Sequence, residues 1–339
     1  MIQITQSLPH QVSWEAIPPF LRPHLPTTRE KVHRLLWNIL SILIPILGLI
    51  RLGLYGIAYL LRRIFLPAAH HPEALKVNYR TLFQAFCQDQ ARDFESVATS
   101  ITTPDGAILN AHLLLHRNGG ANTPTTIFFQ GNGSLKGMGS WYWLLRQSIR
   151  RDRPMNFVVF DYRSVDESTG LFKKSKDLLI DAASVVDWVR KEVKTPDDQI
   201  HFYGQSLGGA LAVKTCASDA RLGGLVVNER SFSTLEKVVN AWKDRLPHLL
   251  KPLGSLIVWI LKDQELELNA EIDLPKLGNR TLVVYHPHDQ VIPKAASLAQ
   301  SFPDGAFELR PVDGDPNPHC SDLGIYKGAR ERIGNFLFS

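Results

Sequence analysis

Apolar residues fall into three regimes along the chain. Residues 1–34 are polar and Pro-rich and show no clean periodicity. Residues 35–61, LLWNILSILIPILGLIRLGLYGIAYLL, are apolar almost throughout and carry a single charge, Arg51. From about residue 92, short apolar runs alternate with stretches of helical spacing. TTIFFQ, NFVVFD, IHFYG, GLVVNE and TLVVYH are rich in Val, Ile, Phe and Tyr, as strands buried on both faces of a parallel sheet are. KSKDLLIDAASVVDWVRKEV, LGGALAVKTCASD and STLEKVVNAWKDRL repeat apolar residues at helical intervals. In the first of these, Leu178, Val185 and Val189 share a face on which Asp181 is the polar exception. FESVATSIT and AILNAHLLLHR flank Asp105-Gly106, a hairpin signature. AASLAQSF reads as a further helix. The alternation predicts an α/β fold, with a mostly parallel central sheet flanked by helices and right-handed crossovers. The domain runs over 92–339, with a connector carrying a short helix over 67–91 and a hydrophobic helical region over 35–66.

The apolar run is long enough to matter. As one helix of 27 residues it would extend roughly 40 Å, more than the ~30 Å hydrocarbon core of a bilayer. A single tilted spanning helix is therefore affordable in length, kinked or loosened at Pro45 and at Gly48, Gly53 and Gly56, and the run either spans a membrane or lies on one. The competing reading is a helical hairpin broken at Pro45 or Arg51 and packed on the protein. Arg29, Lys31 and Arg34 precede the run and Arg62 and Arg63 follow it, so basic charge assigns no orientation. The run starts late and lacks a small-x-small cleavage site, which argues against a cleaved signal peptide. Membrane association through residues 35–61, with lipid as a partner, is the expectation.

Composition narrows the function classes. The 339 residues are 44% hydrophobic and 21% charged, ordinary values for a globular chain that exclude wholesale disorder and a polytopic membrane protein. Cys87, Cys216 and Cys320 are too few and too scattered for a disulfide framework or a zinc cluster. The net charge of +5 suits a membrane surface, and no nucleic-acid-binding motif accompanies it. His286 and His288 flank Asp289, but no second ligand pair matches them elsewhere, so no metal is expected.

Candidate chemistry centres on Gly204-Gln205-Ser206-Leu207-Gly208, which follows the strand IHFY and opens the helix LGGALAV. G-x-S-x-G between strand and helix projects a serine hydroxyl above the sheet on a strained turn, flanked by glycines because the turn is crowded. The helix start offers backbone N–H groups to an oxyanion, Leu207 first. Asp289 follows the strand TLVVYH; it reads as the carboxylate that orients an imidazole, or as an Asx turn before Pro293. His319, in DGDPNPHCSDLG, is the histidine C-terminal to Asp289 and reads as the general base, or as a plain loop residue. The order Ser, acid, His favours the catalytic readings of both. The loop Gln130-Gly131-Asn132-Gly133-Ser134 after TTIFF is the candidate for the other oxyanion donor, with the Asn132 N–H the first choice. Gln130, Gly131 and Gln205 are candidate substrate-binding residues. Cys320, beside His319, reads most simply as a packing residue.

These segments resemble the serine α/β-hydrolase superfamily, and within it the membrane-anchored ABHD/Bem46-type branch, over residues 95–335. Phe129 to Gly133 resembles the family's F-H-G-N-x loop, with Gln130 in place of its histidine. Asp161 to Gly170 resembles D-Y-R-G-x-G-x-S-x-G, with Ser164 and Asp166 in place of two glycines, so a differently shaped loop is expected. Tyr203 to Gly209 resembles the nucleophile elbow, Asn228 to Ser233 the E-N-x-F-x-S segment, and HDQVIP the acid loop. A looser similarity runs to a hydrolase-like family of chlamydiae. The resemblance implies an α/β-hydrolase fold with a short cap around 233–275, where Trp242, Leu249, Leu253 and Trp259 would admit an acyl chain or pack as core. It implies a serine hydrolase that cleaves an ester or thioester of a lipid or acyl substrate through Ser206, His319 and Asp289, with no cofactor. The alternatives are a catalytically silent binding protein at a membrane and a serine peptidase of the same fold.

Overall fold

A computed structural model describes residues 10–23, 26–120 and 122–339; residues 1–9 and 24–25 of the polar N-terminal segment lie outside the described residues. A two-residue strand, β1 (His10–Gln11), precedes two apolar helices, α1 (Thr28–Leu43) and α2 (Pro45–Phe65). The run over 35–61 is not one helix; it breaks at Pro45, one of the two positions at which the alternative reading placed the break. A residue before proline is disfavoured in the α region, and Ile44 is extended (φ −117°, ψ 95°), so the two helices meet at 114°. Among the described residues no single helix is long and apolar enough to cross a membrane; the bent pair passes that test only jointly. Arg51 ties the two arms together. Its Nη1 donates to Ser41 Oγ at 3.3 Å, and its Nε and Nη2 donate to the Tyr55 hydroxyl at 3.2 and 3.0 Å. The connector holds a helix of 17 residues, α3 (Glu73–Asp89), longer than its sequence suggests. Phe83 and Phe86 pack its inner face on Trp141, with ring centroids 6.3 and 5.8 Å apart.

The remaining elements follow in the predicted alternation. They are β2 (Phe94–Thr102), β3 (Ile108–His116), β4 (Thr125–Phe129), α4 (Tyr142–Arg150), β5 (Asn156–Phe160), α5 (Ser175–Trp188) and β6 (Ile200–Gln205). Then come α6 (Leu207–Ala217), β7 (Val226–Glu229), α7 (Leu235–Lys243), α8 (Lys251–Asp263), β8 (Thr281–Tyr285), β9 (Ala306–Glu308) and α9 (Ala329–Leu337). The described strands form one sheet in the order β1-β2-β3-β5-β4-β6-β7-β8-β9. β2 and β3 pair antiparallel through the Asp105-Gly106 turn, β3 is antiparallel to β5, and β5 through β9 run parallel. Every residue of β4, β5, β6 and β7 is buried, which is why their sequences are continuous apolar runs. One face packs on α5 and α6 through Leu178, Val185 and Leu211; the other packs on α4 and α9 through Leu144, Leu145 and Ile333.

Asp181, the polar exception on α5, is buried and accepts from the Arg163 N–H (2.9 Å) and Nε (2.8 Å). Arg163 also grips Asp105 in the hairpin turn (2.6 Å), so the exception joins three segments. AASLAQSF does not form the expected helix. Ser297 pairs with Phe232 as a β-bridge, and the Leu298 N–H donates to the Ser231 carbonyl, so tertiary pairing leaves only single turns at Lys294–Ala296 and Leu298–Ser301.

Burial of His201 gives a pH-dependent stability. Burial holds its imidazole at a pKa of about 4, and its Nδ1 accepts the Leu225 N–H at 3.1 Å. The unfolded chain binds this proton near pH 6.5 and the folded chain only near 4, so His201 stabilises the fold above the upper value and loses that contribution as pH falls toward the lower. The full difference is about 3 kcal/mol. His201→Gln keeps an acceptor for Leu225 and removes the titration. Urea midpoints at pH 7 and pH 4.5 are expected to differ less in this variant than in the wild type.

Candidate active site

β6 ends at Gln205 and α6 begins at Leu207, so Ser206 alone carries the reversal between them. Its backbone (φ 54°, ψ −121°) lies where L residues are strained. Close approach makes the neighbouring glycines necessary. A Cβ on Gly204 would lie 2.1 Å from the Gly208 carbonyl oxygen, and one on Gly208 would lie 2.1 Å from that of Phe129. The strained turn is held by the Ser206 N–H donating to Glu229 O (2.9 Å) and by the Gly209 N–H donating to Ser206 O (3.0 Å).

The loops after β8 and β9 converge on this serine. His319 Nε2 lies 2.9 Å from Ser206 Oγ, and His319 Nδ1 lies 2.7 Å from Asp289 Oδ2. All three side chains are buried. The two oxygens of Asp289 have different partners. Its Oδ1 accepts the Val291 and Ile292 N–H groups, each at 2.8 Å, as an Asx turn does, while Oδ2 addresses the imidazole. The turn therefore fixes the carboxylate's rotation. His286 lies beneath this loop, accepting the His288 N–H at 3.1 Å and packing on Tyr326 at 5.4 Å. Cys320 is exposed, contrary to its packing reading.

Arg230, not singled out from sequence, grips both sides of His319. Its Nη1 donates to the carbonyls of Pro318 (2.6 Å) and Ser321 (2.7 Å). The guanidinium is buried and pairs with Glu229, which also accepts from the Tyr203 hydroxyl. Burial and the Glu229 carboxylate push the Tyr203 phenol well above its ordinary pKa and keep it a donor. The sequence signal was an adjacent acid and base, Glu229 and Arg230, at the end of β7.

The second loop reaches the serine through strand order. β4 and β6 are neighbours with Phe129 opposite Gly204, so Gln130–Ser134 emerges beside the elbow, at the carboxyl ends of strands where α/β sheets bind ligands. Asn132, Ser206 and Leu207 line one cavity. As first residue of α6, Leu207 has an N–H with no intrahelical acceptor. Lys136 anchors the loop, donating to Asp161 from its N–H (2.8 Å) and its Nζ (2.7 Å), and the Tyr162 hydroxyl donates to Gln130 O (3.1 Å). Gln130, Gly131 and Gln205 lie outside the cavity wall. Gln205 Nε2 donates to His319 O at 3.3 Å, so it supports the histidine loop.

Ser164 and Asp166 both sit at positive φ (66° and 49°), the region glycine favours. The loop is thus not released from a glycine-like path, as the substitutions suggested. Side chains offset the strain: Ser164 Oγ donates to Gly170 O (2.9 Å), and Asp166 pairs with Arg80 (3.2 Å).

The cavity above Ser206 has a volume of about 400 Å³. Leu61, Ile64 and Phe65 of α2 form one wall; α7 and α8 contribute Trp242, Ile257 and Leu261. Apart from Ser206 its polar lining is Asn132 and Lys243. The lining is otherwise apolar and reaches the Ser206 side chain.

No protein-family model matches the chain. Among curated proteins it is similar to Bem46 of Schizosaccharomyces pombe, 26% identical over 171 residues, covering 48% of this chain and 53% of that one. It is also similar to YfhR of Salmonella typhi, 27% identical over 192 residues, 54% of this chain and 61% of that one. The matched stretch thus spans only 53% to 64% of the curated relatives' lengths. Among solved structures, the esterase Pf2001 of Pyrococcus furiosus aligns with a TM-score of 0.54 at 17% identity, over 74% of this chain and 92% of that one. Acetyl xylan esterase 1 from Thermoanaerobacterium aligns at 0.51 and 16%, over 77% and 93%.

Proposed function

We propose that this chain, an α/β-hydrolase related in sequence to Bem46, is a serine hydrolase that cleaves an acyl ester or thioester. One observation carries the reading: the hydrogen-bonded series Ser206–His319–Asp289 stands at the floor of an apolar cavity. Ser206 Oγ attacks the acyl carbonyl carbon as His319 Nε2 takes its proton. The Leu207 and Asn132 N–H groups receive the oxyanion. Asp289 orients the imidazole and stabilises the imidazolium. The tetrahedral intermediate expels the alkoxide or thiolate, which takes the proton from Nε2, and leaves Ser206 acylated. Water then attacks the acyl-enzyme by the same route, and the acid is released. Esterase names among the structural neighbours agree with this chemistry.

The direct test is fluorophosphonate labelling of the purified full chain in detergent, followed by peptide mass spectrometry. A stoichiometric adduct on the peptide containing Ser206 is expected, together with turnover of p-nitrophenyl esters. Well-folded protein that takes up no probe would overturn the reading and leave a silent binding protein. The same reading places the chain at a membrane through the α1–α2 pair, whose outward side chains include Ile42, Ile46, Leu49 and Leu52.

A further inference from the structure

α2 does two things at once. Its C-terminal end is fixed to the hydrolase domain: Arg62 Nε donates to Lys173 O (2.9 Å), Arg62 Nη2 donates to Gln264 Oε1 (2.8 Å), and Phe65 stacks on Phe172 at 5.2 Å. The same turns supply Leu61, Ile64 and Phe65 to the cavity wall. A segment that served only as a tether would have no reason to line the cavity above the serine.

The rim of the cavity is unusual for a protein facing water. Ile64 lines the cavity and is nevertheless 66% exposed, and Trp242, Leu246 and Val291 also combine lining with exposure. Beyond the rim, on and just before α8, Leu249 is 89% exposed, and Leu250 and Leu253 are exposed beside it. Large exposed apolar patches mark interaction surfaces. Here the patch is continuous with the substrate cavity. Charge selects the occupant. Between α7 and the start of α8 the chain carries Lys243, Arg245 and Lys251 against the single acid Asp244. Arg29, Lys31 and Arg34 add positive charge on α1 against Glu30. An apolar face edged with basic side chains complements an anionic lipid surface, where each Lys or Arg adds electrostatic attraction.

We propose that α2, α7 and α8 form one collar around the cavity mouth that docks on an anionic phospholipid bilayer, so that an acyl chain passes from the lipid directly between α2 and the cap to Ser206. This rests on the hydrolase reading and adds that surface binding and acyl binding share residues. Three consequences follow. The full chain binds vesicles containing phosphatidylglycerol more strongly than vesicles of phosphatidylcholine alone. An ester embedded in those vesicles is a far better substrate relative to a dissolved short-chain ester than it is for a variant with a damaged collar. Narrowing the α2 wall shortens the acyl chain that the site prefers.

The experiment uses the full chain, Leu249→Glu/Leu253→Glu and Leu61→Trp, with all three checked for fluorophosphonate labelling. Vesicle flotation and the ratio of vesicle-borne to dissolved ester hydrolysis are measured. The collar variant is expected to lose at least tenfold in bound fraction and in that ratio. Leu61→Trp is expected to move the preferred acyl chain to shorter lengths. Flotation and ratio unchanged in the collar variant would overturn the docking proposal. So would a wild type that ignores vesicles and is a dimer with the collar covered by a second copy. Labelling retained in these cases leaves the hydrolase reading standing, whereas absent labelling of the wild type removes that reading and not the vesicle binding.

Discussion

Ser206→Ala is expected to lower kcat by about five to six orders of magnitude, because removing a triad serine removes the acyl-enzyme route altogether. That corresponds to ~7–8 kcal/mol of barrier. His319→Ala should lose a similar amount, and the double variant scarcely more, since the two groups act as one unit. Single-turnover and steady-state rates with a p-nitrophenyl ester check this; losses that multiply in the double variant would contradict it. Stability provides a separate readout. Alanine keeps a Cβ at φ 54°, so Ser206→Ala should retain the elbow strain. Ser206→Gly relieves the strain at some cost in unfolded-chain entropy and is expected to be more stable than Ser206→Ala by about 1 kcal/mol, while equally inactive. A rise in Tm with no activity in the glycine variant would tie the strain to presentation of the hydroxyl.

Arg230→Met is expected to reduce both stability and kcat, for different reasons. The Glu229 carboxylate would be left buried without its cation, a loss of about 3–5 kcal/mol. The Pro318 and Ser321 carbonyls would lose the donor that grips them, at 2.6 and 2.7 Å in the wild type, and His319 between them would move relative to Ser206. A displacement of about 1 Å at a reacting group costs on the order of 100-fold in rate. The loss should appear in kcat with KM little changed, because Arg230 does not line the cavity. Glu229→Gln in the same chain removes the orphaned charge and can still accept from Tyr203. The double variant is therefore expected to recover most of the stability and little of the kcat. Recovery of both together would reduce Arg230 to a purely structural role. Denaturant midpoints beside kcat and KM for the two variants decide the matter.

Much of the fold was legible because its signals are local. Strands buried on both faces must be apolar throughout, and β4 to β8 read as such. The elbow was legible because a serine carrying a whole strand-to-helix reversal needs glycines on either side. Gly204 and Gly208 answer to backbone oxygens 2.1 Å from where a side chain would begin. Asp289 and His319 were legible only as types in an order; residues 83 and 113 positions beyond Ser206 meet it because β8 and β9 lie on the same side of β6. Gln205 lies within the elbow motif and Gln130 opens the second loop, yet the structure keeps both out of the cavity lining, against the His319 loop and Tyr162. What the chain alone could not reveal depends on partners distant in sequence. The apolar run of 35–61 has the composition of one long helix, but an extended Ile44 before proline turns it through 114°, and docking by Arg62 makes its far end a cavity wall. Ser297 would have continued a helix had the Ser231–Phe232 strand segment not offered it a pairing partner. Asp181 read as a polar exception on an apolar helix face, and Arg230 drew no reading at all; only the tertiary structure supplies the opposite charges and carbonyls that make burying them tolerable. Local steric and hydrophobic rules thus determined the elements and the Ser206 turn, whereas long-range pairing of charge and backbone decided what surrounds Ser206 and where the apolar helices end.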